Sequence, residues 1–120
     1  MKKSMVFFVC LMMIFNLSSQ AFAADIDAID SLVNETAEYL YKSAPDPQVS
    51  SIGGEWAVMG LARSGADIPD EYFENYYKTA EKHIKDCGGV LNDKKYTEYS
   101  RVVLALTAIG KNPTDISGYN

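Results

Sequence analysis

Two stretches of this chain repeat one pattern: a helix with a single apolar stripe, a loop, then a helix apolar on nearly every side and ending at glycine. In the first stretch Ile26, Ile29, Val33, Ala37 and Leu40 recur at spacings of three and four. That is one face of a helix over about residues 25–42. Asp27, Asp30, Asn34, Glu35 and Glu38 take the opposite face, and early acids suit the positive end of the helix dipole. Pro45 and Pro47 stop this helix and force an extended link. A second helix is predicted over about 51–64, capped by Ser50 or Ser51. Its body, Trp56 to Ala62, is apolar all round, which predicts burial on most sides. Gly60 is expected to let a neighbouring helix come close, and Gly65 to end the helix in a left-handed conformation.

The second stretch runs the same way. Pro69 suits a first helical position, and Asp70, Glu71 and Glu74 follow at the positive end. Phe73, Tyr76, Tyr77, Ala80, Ile84 and Cys87 make the stripe expected to be buried. Glu74 with Lys78, and Glu81 with Lys85, have the favourable four-residue order for helix ion pairs. Gly88-Gly89 ends this third helix. The fourth covers about 97–109, with Thr97 as its expected cap, an apolar run from Val102 to Ile109, and Gly110 as its stop.

The chain therefore reads as all-α, with two helical hairpins at about 25–65 and 70–110. Gly65 and Gly110 lie 45 residues apart, and Thr36-Ala37-Glu38 recurs 43 residues on as Thr79-Ala80-Glu81. The amphipathic helix comes first in each pair and the apolar one second. That order predicts two layers, amphipathic helices outside and apolar ones inside, whereas a simple bundle would make all four helices amphipathic. Pairs at a fixed period stack, and each leaves an apolar flank for the next.

Residues 1–23 read as a leader. Lys2 and Lys3 precede an apolar run from Met5 to Leu17, and Ala21-Phe22-Ala23 is a small-x-small cleavage site, the three parts of a secretory signal peptide. The run is shorter than the ~20 apolar residues a spanning helix needs. Cleavage after Ala23 would leave residues 24–120 as one domain in a secreted or cell-surface bacterial protein. Loss of Lys2 and Lys3 takes the 11 basic residues to nine against 16 acidic, a net charge of −7. An acidic chain without a basic stripe is not expected to bind nucleic acid. Only Cys87 would remain, which rules out an internal disulfide in a domain of a size that often needs one.

The segments Gly53 to Ala62 and Tyr96 to Leu106 resemble inner helices of the α/α-toroid superfamily, which includes terpenoid cyclases and protein prenyltransferase β-subunits. The closest resemblance is to secreted bacterial repeat proteins of the prenyltransferase and squalene-oxidase type. It implies a partial α/α toroid of two helix pairs, where a full ring has about six, and further repeats or downstream domains as partners. The Asp-x-Asp-Asp acid of squalene-type cyclases is absent: Asp25-Ile26-Asp27 is followed by Ala28. Neither the glutamine-tryptophan repeats nor the zinc ligands of prenyltransferases can be placed on this chain. In the superfamily the inner-helix ends border a central cavity, so Glu55, Trp56, Tyr96, Tyr99 and Arg101 resemble ligand-contact positions, for a small molecule or a surface partner. Aromatic rings beside a charge suit sugar, isoprenoid or corrin surfaces alike.

No catalytic residue, metal site or cofactor is assigned. His83 and Cys87 stand four apart, but zinc needs further ligands. Cys87 lies where the helix dipole disfavours a thiolate, and is expected to be buried and inert. Glu55 and Glu98 could act as acid and base, yet acids are also favoured in a first helical turn. The five tyrosines Tyr39, Tyr41, Tyr72, Tyr76 and Tyr77 are expected to bridge core and surface. The reading that results is a non-catalytic helical-repeat module binding a ligand or protein through its inner-helix ends. Its alternatives are a fragment of a cyclase- or prenyltransferase-like enzyme with its catalytic residues in other repeats, and a small free-standing bundle.

Overall fold

The computed structural model describes residues 25–51 and 53–119. The leader and its cleavage site lie outside the described residues. Four α-helices are present among them: α1 (Ile26–Ser43), α2 (Glu55–Ser64), α3 (Asp70–Asp86) and α4 (Thr97–Ala108). There is no β-strand among the described residues beyond one isolated antiparallel bridge, Ile116 with Tyr119. No helix of the described residues is long and apolar enough to cross a membrane. Packing divides the chain into two units at Ser31 and Leu32; the core described next belongs to the second.

The two apolar helices, α2 and α4, lie closest to each other. Ala57, Val58 and Leu61 of α2 and Val102, Ala105 and Leu106 of α4 are buried. Helix α3 contributes Tyr72, Tyr76, Ala80 and Ile84, and α1 contributes Ala37. The α3 seam follows a strict four-residue ridge. Tyr76, Ala80 and Ile84 hold their predicted places, while Tyr72 takes the interior position expected of Phe73, which with Tyr77 flanks the seam half-buried. The Tyr72 ring is gripped edge-on by Tyr41 at 5.4 Å and by Phe73 at 5.5 Å.

Several local expectations are corrected. The second helix starts at Glu55 rather than near 51, and neither Ser50 nor Ser51 caps it: the N-cap is Gly54, with no side-chain cap bond. Gly54 is required there, since a Cβ would collide with the Gln48 carbonyl oxygen. Likewise Tyr96, not Thr97, is the N-cap of α4, and Pro69 stands at the N-cap of α3, one place before its first turn. Gly65 and Gly110 do adopt φ of 76° and 74°, the left-handed stops. Glu74 pairs with Lys111 at 2.5 Å instead of Lys78, because the chain after Gly110 returns along α3, with Lys111 also over the Tyr77 ring. The Glu81–Lys85 pair forms, at 3.5 Å.

The two apolar helices, expected to be buried on most sides, are not. Trp56 is 59% exposed, Val103 43% and Leu104 52%. Each helix buries part of its circumference in the shared core, while Trp56, Gly60 and Arg63 on α2 and Ser100, Val103, Leu104 and Thr107 on α4 meet water. Gly60 is exposed too, and a Cβ added there would meet only the Leu40 side chain at an ordinary 3.7 Å; close approach is not its role. On α1 the stripe is covered only from Ala37 onward, with Leu40 and Tyr41 half-buried, while Ile26, Ile29 and Val33 are exposed. Tyr39 is exposed and Tyr76 wholly buried, so these two do not bridge core and surface. Cys87 is half-buried, its thiol donating to the Ile84 carbonyl oxygen at 3.4 Å.

After α4 the chain turns back. The Lys111 amide donates to the Leu106 carbonyl, closing the helix end. Ile116 enters the core, and Ser117-Gly118, both at positive φ, make the two-residue turn that pairs Ile116 with Tyr119. The Ser117 hydroxyl donates to Glu81 on α3 at 2.5 Å.

Candidate functional site

The first turn of α2 places Glu55 wholly inside the protein, at 0% exposure. One carboxylate oxygen, Oε1, accepts the backbone N–H of Ser50 at 2.7 Å. The other, Oε2, faces Arg101 Nε of α4 at 3.9 Å, and neither atom has a hydrogen-bond partner among the described residues. The Tyr76 hydroxyl, buried on α3, also lacks one. Burial pushes the Tyr76 phenol well above its ordinary pKa; the Glu55 charge pushes the same way and Arg101 partly opposes it. Three helices thus bring a carboxylate, a guanidinium and a phenol into one largely buried place. A buried carboxylate is tolerated only when paired and hydrogen-bonded, so Arg101 and Ser50 together account for its position.

Ser50 is the pivot. Its φ of 61° is unusual for a residue with a side chain. That turn aims its N–H at Glu55 and its hydroxyl at Glu98 Oε2, 3.3 Å away. Glu98 Oε1 accepts from Asn92 Nδ2 at 3.2 Å, and Asn92 Oδ1 accepts the amides of Lys94 and Lys95. The starts of α2 and α4 therefore stand side by side, pinned through the link before α2. Glu55 and Glu98 reach the same serine, each already occupied as a hydrogen-bond acceptor.

Of the five residues singled out from sequence, the structure brings Glu55 and Arg101 together as the interior pair. Tyr96 and Tyr99 form a second pair, ring centroids 6.4 Å apart and tilted by 35°; Tyr96 is 76% exposed and Tyr99 half-buried. Trp56 turns outward, away from Glu55. Sequence reasoning missed Tyr76 as a polar member of the cluster and Ser50 as its pivot. Tyr76 was visible as a stripe residue, but nothing in its spacing tells where the hydroxyl ends up. Ser50 carries no sequence signal for positive φ.

Clefts among the described residues include three. An apolar one of about 80 Å³ lies between α4 and the returning chain, lined by Ile84, Tyr99, Val102, Leu106, Ile116 and Tyr119 among others. A groove of about 390 Å³ runs between α1 and the Ala66–Pro69 link, and a polar cleft of about 150 Å³ includes Lys82, His83 and Asp86. No group of three or more His, Cys, Asp or Glu among the described residues is placed to hold a metal ion. Comparison with protein-family models, with curated proteins and with solved structures finds no match for this chain.

Proposed function

We propose that the chain is a non-catalytic helical-repeat module of an exported bacterial protein, and that it binds a ligand or a partner surface at the ends of α2 and α4. One observation carries this reading. The starts of the two apolar helices are locked together from inside by Glu55, Arg101 and Ser50, while the aromatic residues on the same ends, Trp56 and Tyr96, stand in water. Rigid backbone presenting exposed rings is the arrangement that binds at low entropic cost. The toroid resemblance and the export of the chain belong to this proposal. So do further repeats or downstream domains as its setting. An acid–base role for Glu55 and Glu98 is less favoured, because both already accept hydrogen bonds from the link before α2.

Calorimetric titration of the purified chain with a soluble oligosaccharide, farnesyl diphosphate and cobalamin tests the reading. Binding of one of the three, lost in Trp56→Ala and Tyr96→Ala with the helical signal unchanged, is the expected result. Failure of all three to bind, or binding indifferent to both substitutions, overturns the site.

A further inference from the structure

The repeat makes a comparison possible within the one chain. A shift of 45 residues carries Gly65 onto Gly110, both at left-handed φ. The same shift carries Ala57 onto Val102 and Leu61 onto Leu106, four buried residues. The register is therefore physical as well as textual.

Glu55, Val58 and Ala62 lie on one stripe of α2, three and four residues apart. Glu55 on that stripe meets Arg101 of α4, so this is the flank that α4 covers; Glu55 and Val58 are fully buried there. The equivalent stripe of α4 is Ser100, Val103 and Thr107, and all three are exposed. The answering stripe, by which α4 packs on α2, is Arg101, Ala105 and Ala108, half-buried or buried. Its equivalent on α2 is Trp56, Gly60 and Arg63, and all three are exposed. The molecule thus carries counterparts of the two halves of its own internal helix contact exposed on two flanks, the α2 one bordered at Gly60 by the Leu40 side chain of α1.

We infer that a second copy of this chain docks head to tail, its Trp56-Gly60-Arg63 stripe on the Ser100-Val103-Thr107 stripe of the first. Gly60 and Val103 are the counterparts, under the 45-residue shift, of Ala105 and Val58, a small and a branched residue buried on the two internal stripes. The contact is heterologous: each copy keeps one free flank of each kind, so association continues into a ring or an open stack. An interface one helix pair wide is at the small end of specific contacts, so assembly is reversible and depends on concentration. This goes beyond the ligand-binding reading and shares only Trp56 with it.

Sedimentation of the purified chain over a concentration series is the test, with Val103→Glu to block one flank and Gly60→Glu to block the other. Thr107→Glu is a second probe of the first flank, and circular dichroism reads folding in each. Self-association of the wild type, with a dissociation constant raised at least about tenfold in each variant, is expected. The decisive step is mixing the Val103→Glu and Gly60→Glu proteins. Each retains the flank the other lacks, so the mixture forms one-to-one dimers and nothing larger. A wild type that stays monomeric overturns the inference. So does a mixture that fails to associate while both variants are folded, which is how a two-fold symmetric contact behaves. Ligand titration of Val103→Glu separates the two proposals, because that substitution leaves the Trp56 and Tyr96 end intact.

Discussion

Removing Arg101 and neutralising Glu55 perturb the same pair, yet their costs differ in a way the structure fixes. Arg101→Met keeps most of the side chain's length and removes the charge opposite a carboxylate at 0% exposure. Unit charges about 4 Å apart at an effective dielectric near 20 attract by roughly 4 kcal/mol. Stripping one partner from a buried pair costs about 3–5 kcal/mol. Arg101 is 26% exposed and its Nε stands 3.9 Å from the oxygen, so water can partly replace it and the low end, about 3 kcal/mol, applies. Glu55→Gln removes the attraction and the cost of burying the charge together. Its amide oxygen still accepts from the Ser50 N–H, so the change stays within about 1 kcal/mol. Urea unfolding followed by far-ultraviolet circular dichroism measures both. At roughly 4–8 °C per kcal/mol for a domain this size, the methionine variant melts about 12–24 °C lower. In the double variant most of the loss is recovered, because no buried charge is left alone. Equal costs for the two single variants, or a glutamine more damaging than the methionine, would refute the account of Glu55 as a charge held by Arg101.

Three more outcomes follow from other parts of the fold. Burial and the neighbouring Tyr41 push the Tyr72 phenol up to about 12 from an ordinary 10, and Tyr76 moves the same way. The unfolded chain ionises first, so stability present below pH 10 falls as the pH climbs toward about 12; Tyr72→Phe flattens that limb in melts recorded across the range. Gly89→Ala at φ 82° drives a Cβ into the Tyr119 ring. It should cost more than Gly110→Ala, which meets open space and suffers only the left-handed strain of about 1–2 kcal/mol; paired urea titrations decide. Gly60→Ala fills an ordinary 3.7 Å contact with Leu40 and should stabilise α2 by about 0.5–1 kcal/mol, read as a higher melting temperature.

The helices, their order and their glycine stops were legible because apolar spacing and left-handed glycine are local signals. Gly65 and Gly110 announce themselves in one residue each. The start of α2 was not legible, since it depends on a carbonyl six residues upstream, that of Gln48, leaving no room for a Cβ at Gly54. The exposure of Val103 and Leu104 was half legible. Their composition says they want cover, while only the arrangement of the other helices says which side receives none. At the site, Glu55 and Arg101 were chosen as residues on helix ends, and their meeting depends on how α2 and α4 lie together. Covering one carboxylate with a guanidinium from 46 positions away in the chain leaves no trace in either helix's own periodicity.

The link before α2 bears on where the chain can change length. Two acids converge on Ser50, with Asn92 beside them, so Ser50 acts as a wedge between the starts of both apolar helices. The bonds of the link from Gly65 to Pro69 are local ones, to Ser64 and within the link itself. Changes of chain length are accordingly expected to be tolerated just after the left-handed stops at Gly65 and Gly110 and rejected near Ser50, where one insertion loosens the starts of both apolar helices at once.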